Sequence, residues 1–169
     1  MNIPVLILLL AALTAVFAYI FRKFMYFRWC RPLCGLLLCI SIAAILASTI
    51  LRREVRAEAF VPSMIPFDSY RKFLNGGNPE LLRSCFMNAV LFYPAGLLSA
   101  VMLPGKWNPV ARIMIIGIIL TLMSTGIEYA QYAYALGQPE VDDVIHNALG
   151  AIIGSGIGCL ITTTRSEDS

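Results

Sequence analysis

The chain has 169 residues, of which 59% are hydrophobic and 14% charged, with a mean hydropathy of +0.76 and a formal net charge of +3. Soluble domains carry about 45–50% apolar and about 25% charged residues, so this composition excludes one and calls for a lipid bilayer as solvent. The small positive excess lies beside apolar runs, which leaves no footprint for nucleic acid.

The opening "NIPVLILLLAALTAVFAYIF" has no charge and is long enough to cross a hydrocarbon layer of about 30 Å. No basic segment precedes it, and "RKFMYFRWCR" follows it in place of a small-residue cleavage site, so it reads as a span and not as a cleaved leader. Further apolar runs at 32–51, 84–103, 109–134 and 142–161 complete the prediction: an all-α polytopic bundle of five transmembrane helices, the first at 2–21, with a short interfacial helix and no separate soluble domain.

Orientation follows from the connectors. A plain count of Lys and Arg does not decide it, but Arg22, Lys23, Arg28 and Arg31 fill the first connector without an acid. The basic residues of the long segment before the third span are diluted by Glu54, Glu58, Asp68 and Glu80. The positive-inside rule then places the amino terminus outside the plasma membrane and the carboxyl terminus in the cytoplasm, with Tyr129, Tyr132 and Tyr134 at the outer interface.

In the long segment, Pro62, Pro66 and Pro79 restrict the backbone, and "DSYRKFLNGG" predicts a short helix that starts at Asp68 or Ser69 and stops at Gly76 or Gly77. "NPE" supplies Asn78 as a cap, Pro79 in a first turn and Glu80 at the favourable end of the helix dipole, so the third span begins a turn before the hydrocarbon. That span carries Arg83 at its entrance, then Asn88, with Pro94 and Gly96 deeper; Pro94 leaves a carbonyl that needs another partner.

The fourth span places Ser124, Glu128 and Gln131 on one helical face. An ionisable group inside a span costs several kcal/mol unless it is paired or wetted. Glu128 therefore either sits shallow and reaches water or belongs to a shared polar site. In the fifth span Asp143, Asn147, Gly150, Gly154 and Gly158 share a face, and small residues let helix backbones approach closely, which carries Asp143 and Asn147 inward. Asn88, Glu128, Gln131, Asp143 and Asn147, with Arg83 as the cation, are the ligand-binding candidates; Pro94, Gly96 and the three glycines are the packing candidates. Asp142 and Glu140 read equally well as a cap and first-turn acids of the fifth helix.

His146, the only histidine, reads as structural before it reads as a proton relay. The five cysteines lie in or beside apolar runs and read as small buried hydrophobes. Cys30 and Cys34 stand one turn apart, but no second pair or histidine completes a metal set. No Ser-His-Asp set, phosphate loop or paired histidine motif is present, so no metal, cofactor or catalytic group is assigned.

"IPF" at Ile65 to Phe67, "NAVLFYPAG" with Asn88, Pro94 and Gly96, "IEYAQ" with Glu128 and Gln131, and "EVDDVIHNALGAIIG" with Asp143, Asn147 and Gly150 occur in order. With these motifs the chain resembles the VanZ-like membrane protein family over about Met64 to Gly158. The resemblance implies a transmembrane domain at 32–161, an added helix and basic cytoplasmic loop at 1–31, and a short polar tail at 162–169. It also implies a link to low-level resistance to teicoplanin, an acylated glycopeptide. Many members carry an arginine just before the last acidic motif, whereas this chain has no Lys or Arg between Arg112 and Arg165. If that arginine holds an anionic group, its role passes here to Arg83.

The leading expectation is an envelope protein that is non-enzymatic or not demonstrably enzymatic: membrane lipids surround it, and an outward-facing polar pocket binds an acylated glycopeptide or a lipid-linked cell-wall precursor. Two rivals remain: a membrane-embedded enzyme acting on a lipid head group through Glu128 and Asp143, and a small proton-coupled carrier.

Overall fold

The computed structural model describes residues 3–24, 29–51 and 62–163. Expectations that involve Arg28, the segment 52–61 or the tail 164–169 lie outside them. Five long helices stand where the apolar runs predict: α1 (Ile3–Phe24), α2 (Cys30–Leu46), α4 (Glu80–Met102), α5 (Pro109–Ala133) and α6 (Val141–Thr163). A π-helical turn, Ala47–Leu51, extends α2, and the short α3 (Asp68–Leu74) precedes α4. All five long helices have the length and hydropathy of membrane spans, which makes this a multi-pass membrane protein.

Local chemistry sets the helix ends. The Asn108 side chain accepts from the backbone of Val110 at 2.8 Å, with Pro109 in the first turn of α5. Asn78 serves α4 in the same way, accepting from Glu80 N at 3.0 Å. At the end of α3, Gly76 adopts φ of +85° while Gly77 N reaches the Lys72 carbonyl at 2.9 Å and Gly76 N the Phe73 carbonyl at 3.1 Å. This is the double bond of a Schellman stop, which needs a left-handed residue that glycine supplies without strain.

The centre of the bundle is the contact of α4 with α6. Gly150 lies against the carbonyl of Ala89, Gly154 against that of Tyr93, Gly158 against that of Leu97, and Gly96 of α4 against Ala151. At each position a Cβ would overlap backbone of the facing helix. Backbone, not side chain, is the contact surface there. Around this pair Phe92, Ala95, Ala100, Ile116, Leu120, Ile127, Ile45, Ala151 and Cys159 form a buried core drawn from α2, α4, α5 and α6.

Helix α1 is peripheral. Phe21 is buried and Phe17 and Leu10 pack on the cluster around Tyr93 and Leu97, while most of its other large side chains face outward, as a lipid-facing helix requires. One polar tie joins it to α4: Thr14 Oγ1 and the Tyr93 hydroxyl are 2.8 Å apart. Thr14 already donates to the Leu10 carbonyl at 2.7 Å, so the Tyr93 hydroxyl is the donor. Among the cysteines Cys34, Cys85 and Cys159 are buried and Cys30 partly so, but Cys39 is exposed on the outer side of α2, which corrects the reading of all five as buried.

The glycine contact gives a graded expectation. Gly154→Ala should cost about 1–3 kcal/mol because the added methyl group overlaps backbone that cannot yield. Gly156→Ala, with nothing within 4 Å of its new methyl group, should be neutral or stabilise by up to about 1 kcal/mol. Unfolding midpoints of the two variants in one detergent check the difference, and equal midpoints would refute it.

Candidate functional site

The α5 face predicted from the spacing of Ser124, Glu128 and Gln131 is buried along its length, and each residue engages a different element. Asn147 Nδ2 of α6 donates to Ser124 Oγ at 2.8 Å. Glu128, 8% exposed, accepts from the backbone N–H of Glu140 at 3.0 Å through Oε2. Gln131 donates through Nε2 to the Thr49 carbonyl at 3.0 Å. The carboxylate of Glu128 thus turns toward the connector into α6 and away from lipid, as the depth of the residue demands.

Three buried amide atoms in this region have no hydrogen-bond partner: Asn88 Nδ2, Gln131 Oε1 and Asn147 Oδ1. Asn88 stands one residue before Ala89, whose carbonyl meets Gly150, and Asn147 stands one turn before Gly150. The two asparagines therefore lie at similar depth. Buried polar groups in native proteins are nearly always satisfied, so a donor and two acceptors left open at one end of the bundle stand out.

A second layer closes this end. Ser63 is stitched to the α5–α6 connector by Ser63 N on the Pro139 carbonyl at 2.9 Å and Val141 N on the Ser63 carbonyl at 3.1 Å. Asp142 accepts from Phe67 N at 2.5 Å and from Ser69 N at 2.8 Å. Asp142 stands in the first turn of α6, as the sequence implies, but its carboxylate caps α3; α3 starts at Asp68, as expected, after Phe67 and with no side-chain cap of its own. Phe67 has φ of +60°, a strained value for a bulky residue, and the carboxylate that takes its N–H holds it there.

His146 ties the same layer together. Its Nδ1 is 2.6 Å from the Asp142 carbonyl, which only accepts, so Nδ1 carries the proton and Nε2 accepts from the Tyr70 hydroxyl at 2.8 Å. The Tyr70 and His146 rings also stack, with centroids 5.6 Å apart. Asp68, buried on α3, pairs with Arg71 at 2.7 Å and Lys72 at 2.8 Å. The bond from Lys72 holds the Asp68 carboxyl below the usual aspartate range, and Asp68 in turn raises the Lys72 ammonium.

Two candidates are placed differently from the rest. Arg83 is exposed and engages Glu80, three residues back on its own helix, at 3.1 Å, instead of Glu128 or Asp143. Asp143 is half-buried in the first turn of α6, with its N–H on the Glu140 carbonyl at 3.1 Å. Sequence reasoning missed Ser63, Thr49 and Tyr70. Only the tandem of Asp142 and Asp143 carried a signal: adjacent positions on a helix point about 100° apart, so the two acids had to serve different neighbours.

Residues 33–162 match the VanZ/LLP1 family model, from the first turn of α2 to the end of α6. Helix α1 lies outside the matched residues. No curated protein and no solved structure matches the chain.

Asp142→Ala should leave the Phe67 and Ser69 amides without their acceptor and release α3, at a cost of about 1–3 kcal/mol. A spin label on Leu74→Cys in a cysteine-free background should sharpen in that variant, and an unchanged spectrum would refute the cap. The same label reports pH. A lowered Asp68 pKa gives stability that is present above the usual aspartate range and lost as pH falls through the lowered value. A raised Lys72 pKa gives stability that is present below the usual lysine range and lost as pH rises through the raised value. The spectrum should therefore stay constant around neutrality and sharpen in strong acid.

Proposed function

The chain belongs to the VanZ/LLP1 family, and from that premise and the geometry of the α3 end we propose that it binds an acylated amphiphile. The polar head meets Asn88, Gln131, Asn147 and the carboxylates of Glu128 and Asp143. The acyl chain lies in a lateral groove of about 480 Å³ between α1, α2 and α4, whose walls include Leu10, Phe17, Ile40, Ala44, Met87 and Leu91. The observation that carries the reading is the closeness of the two surfaces on α4: Met87 and Leu91 line the groove, and Asn88, with its unpartnered Nδ2, is the residue next to Met87.

The ligand class follows from the inventory. Among the open buried amide atoms acceptors outnumber donors, which suits the hydroxyl and N–H groups of a polyol or a peptide amide. An acylated glycopeptide of the teicoplanin type has such a head, and its tail adds about 0.8 kcal/mol of membrane affinity per buried CH₂. A link to teicoplanin resistance, with α3 facing the cell exterior across the plasma membrane, fits this reading.

The test compares labelled teicoplanin with vancomycin on protein in nanodiscs, with empty nanodiscs subtracted. Teicoplanin should bind at least about tenfold tighter than vancomycin, a difference of about 1.4 kcal/mol. Ala44→Phe, which narrows the groove, should remove most of that advantage, and Glu128→Gln and Asp143→Asn should weaken teicoplanin binding. Equal binding by empty nanodiscs, or full binding by all three variants, would overturn the proposal.

A further inference from the structure

At the end of the bundle opposite α3, Arg112 is completely buried, with 0% of its surface exposed. Its Nη2 donates to the Ala100 carbonyl and, at 3.0 Å, to Thr162 Oγ1. Nε and Nη1 have no partner, which leaves three of the five N–H bonds of the guanidinium unused. An arginine does not lose its charge in a protein, so burial without a counter-ion is the costliest state open to this side chain.

Among the described residues no anion stands near it. Among the described residues this end carries Arg22, Lys23, Arg31, Lys106 and Arg112 and no acid, whereas Asp68, Glu80, Glu128, Glu140, Asp142 and Asp143 all belong to the α3 end. The α4–α5 loop lies beside Thr162. Gly105, Lys106, Trp107 and Asn108 of the α4–α5 loop are exposed, and a Cβ on Gly105 would stand 4.0 Å from the carbonyl of Thr162, the residue to which Arg112 donates. An exposed tryptophan beside a lysine at the end of a span is the pattern of the lipid head-group layer.

We propose that Arg112, helped by Lys106, is a binding site for the phosphate of an anionic membrane lipid, reached when the loop 104–108 shifts. A guanidinium matches phosphate in charge and hydrogen-bond geometry, and basic pockets between spans take lipid head groups in the same way. The site is separate from the α3 end and does not depend on what binds there.

The test uses the full chain purified in detergent and supplied with phosphatidylglycerol, phosphatidylcholine or inorganic phosphate, read by native mass spectrometry and by the thermal midpoint. Phosphatidylglycerol should be retained and should raise the midpoint, and the other two should do neither. Arg112→Gln should abolish the retention. If that variant does not fold, Lys106→Gln on the exposed loop should still weaken it about fivefold, the factor for one basic residue at an anionic surface. Undiminished retention by both variants would overturn the site, and a midpoint raised equally by inorganic phosphate would overturn the lipid as its ligand. So would indifference of the wild type to phosphatidylglycerol combined with destabilisation by Glu167→Gln and Asp168→Asn, since the tail would then supply the anion.

Discussion

Everything else in the bundle is placed by the backbone contact of α4 with α6. In hydrocarbon no hydrophobic force drives helices together, because lipid tails are as apolar as leucine, so close packing and hydrogen bonds must do it. The glycines at 150, 154 and 158 open one face of α6, and Gly96 opens α4 in return. Once these backbones meet, the register is fixed: Asn147 stands beside the start of α4, and α5 reaches α6 through Ser124 and Gly117. A bundle of bulky interfaces would slide among several registers. This one has a single fit.

Polar chemistry at the α3 end depends on that register and on bonds that join distant parts of the chain. Gln131 reaches Thr49, Glu128 reaches the connector at Glu140, and His146 reaches Tyr70. Each bond satisfies a group that would be costly in the bilayer alone, and each ties a different element to α5 or α6. The α3 end is thereby rigid in outline while three amide atoms stay open within it. Residues held by their neighbours, with spare hydrogen-bonding capacity, are what a binding site requires.

Much of this could be read from the sequence because lipid simplifies the code. Length and hydropathy locate a span, and the spacing of Ser124, Glu128 and Gln131 makes one face whatever the partner. The limits were equally physical. Arg83 was a plausible partner for the buried acids by depth, yet Glu80 one turn away competes for it without desolvation, and the exposed local pair wins. Asp142 looked like a local cap because local caps are common, but its oxygens serve backbone groups more than 70 residues earlier, and no sequence window contains both. A basic residue near the end of a span, such as Arg112, is ordinary in sequence; only its complete burial is not.

The cap on α3 bears on how the protein is made. A helix of seven residues is too short to persist in water by itself, and its first amides wait for a carboxylate separated from them by 73 and 75 positions. During synthesis α3 emerges from the ribosome first, and α4 and α5 must follow before Asp142 appears. The outer layer is therefore assembled last, after α6 has entered the membrane, and a chain arrested or cleaved before residue 142 lacks the cap even with four spans in place. Completion of the polar end then records that every span has been inserted.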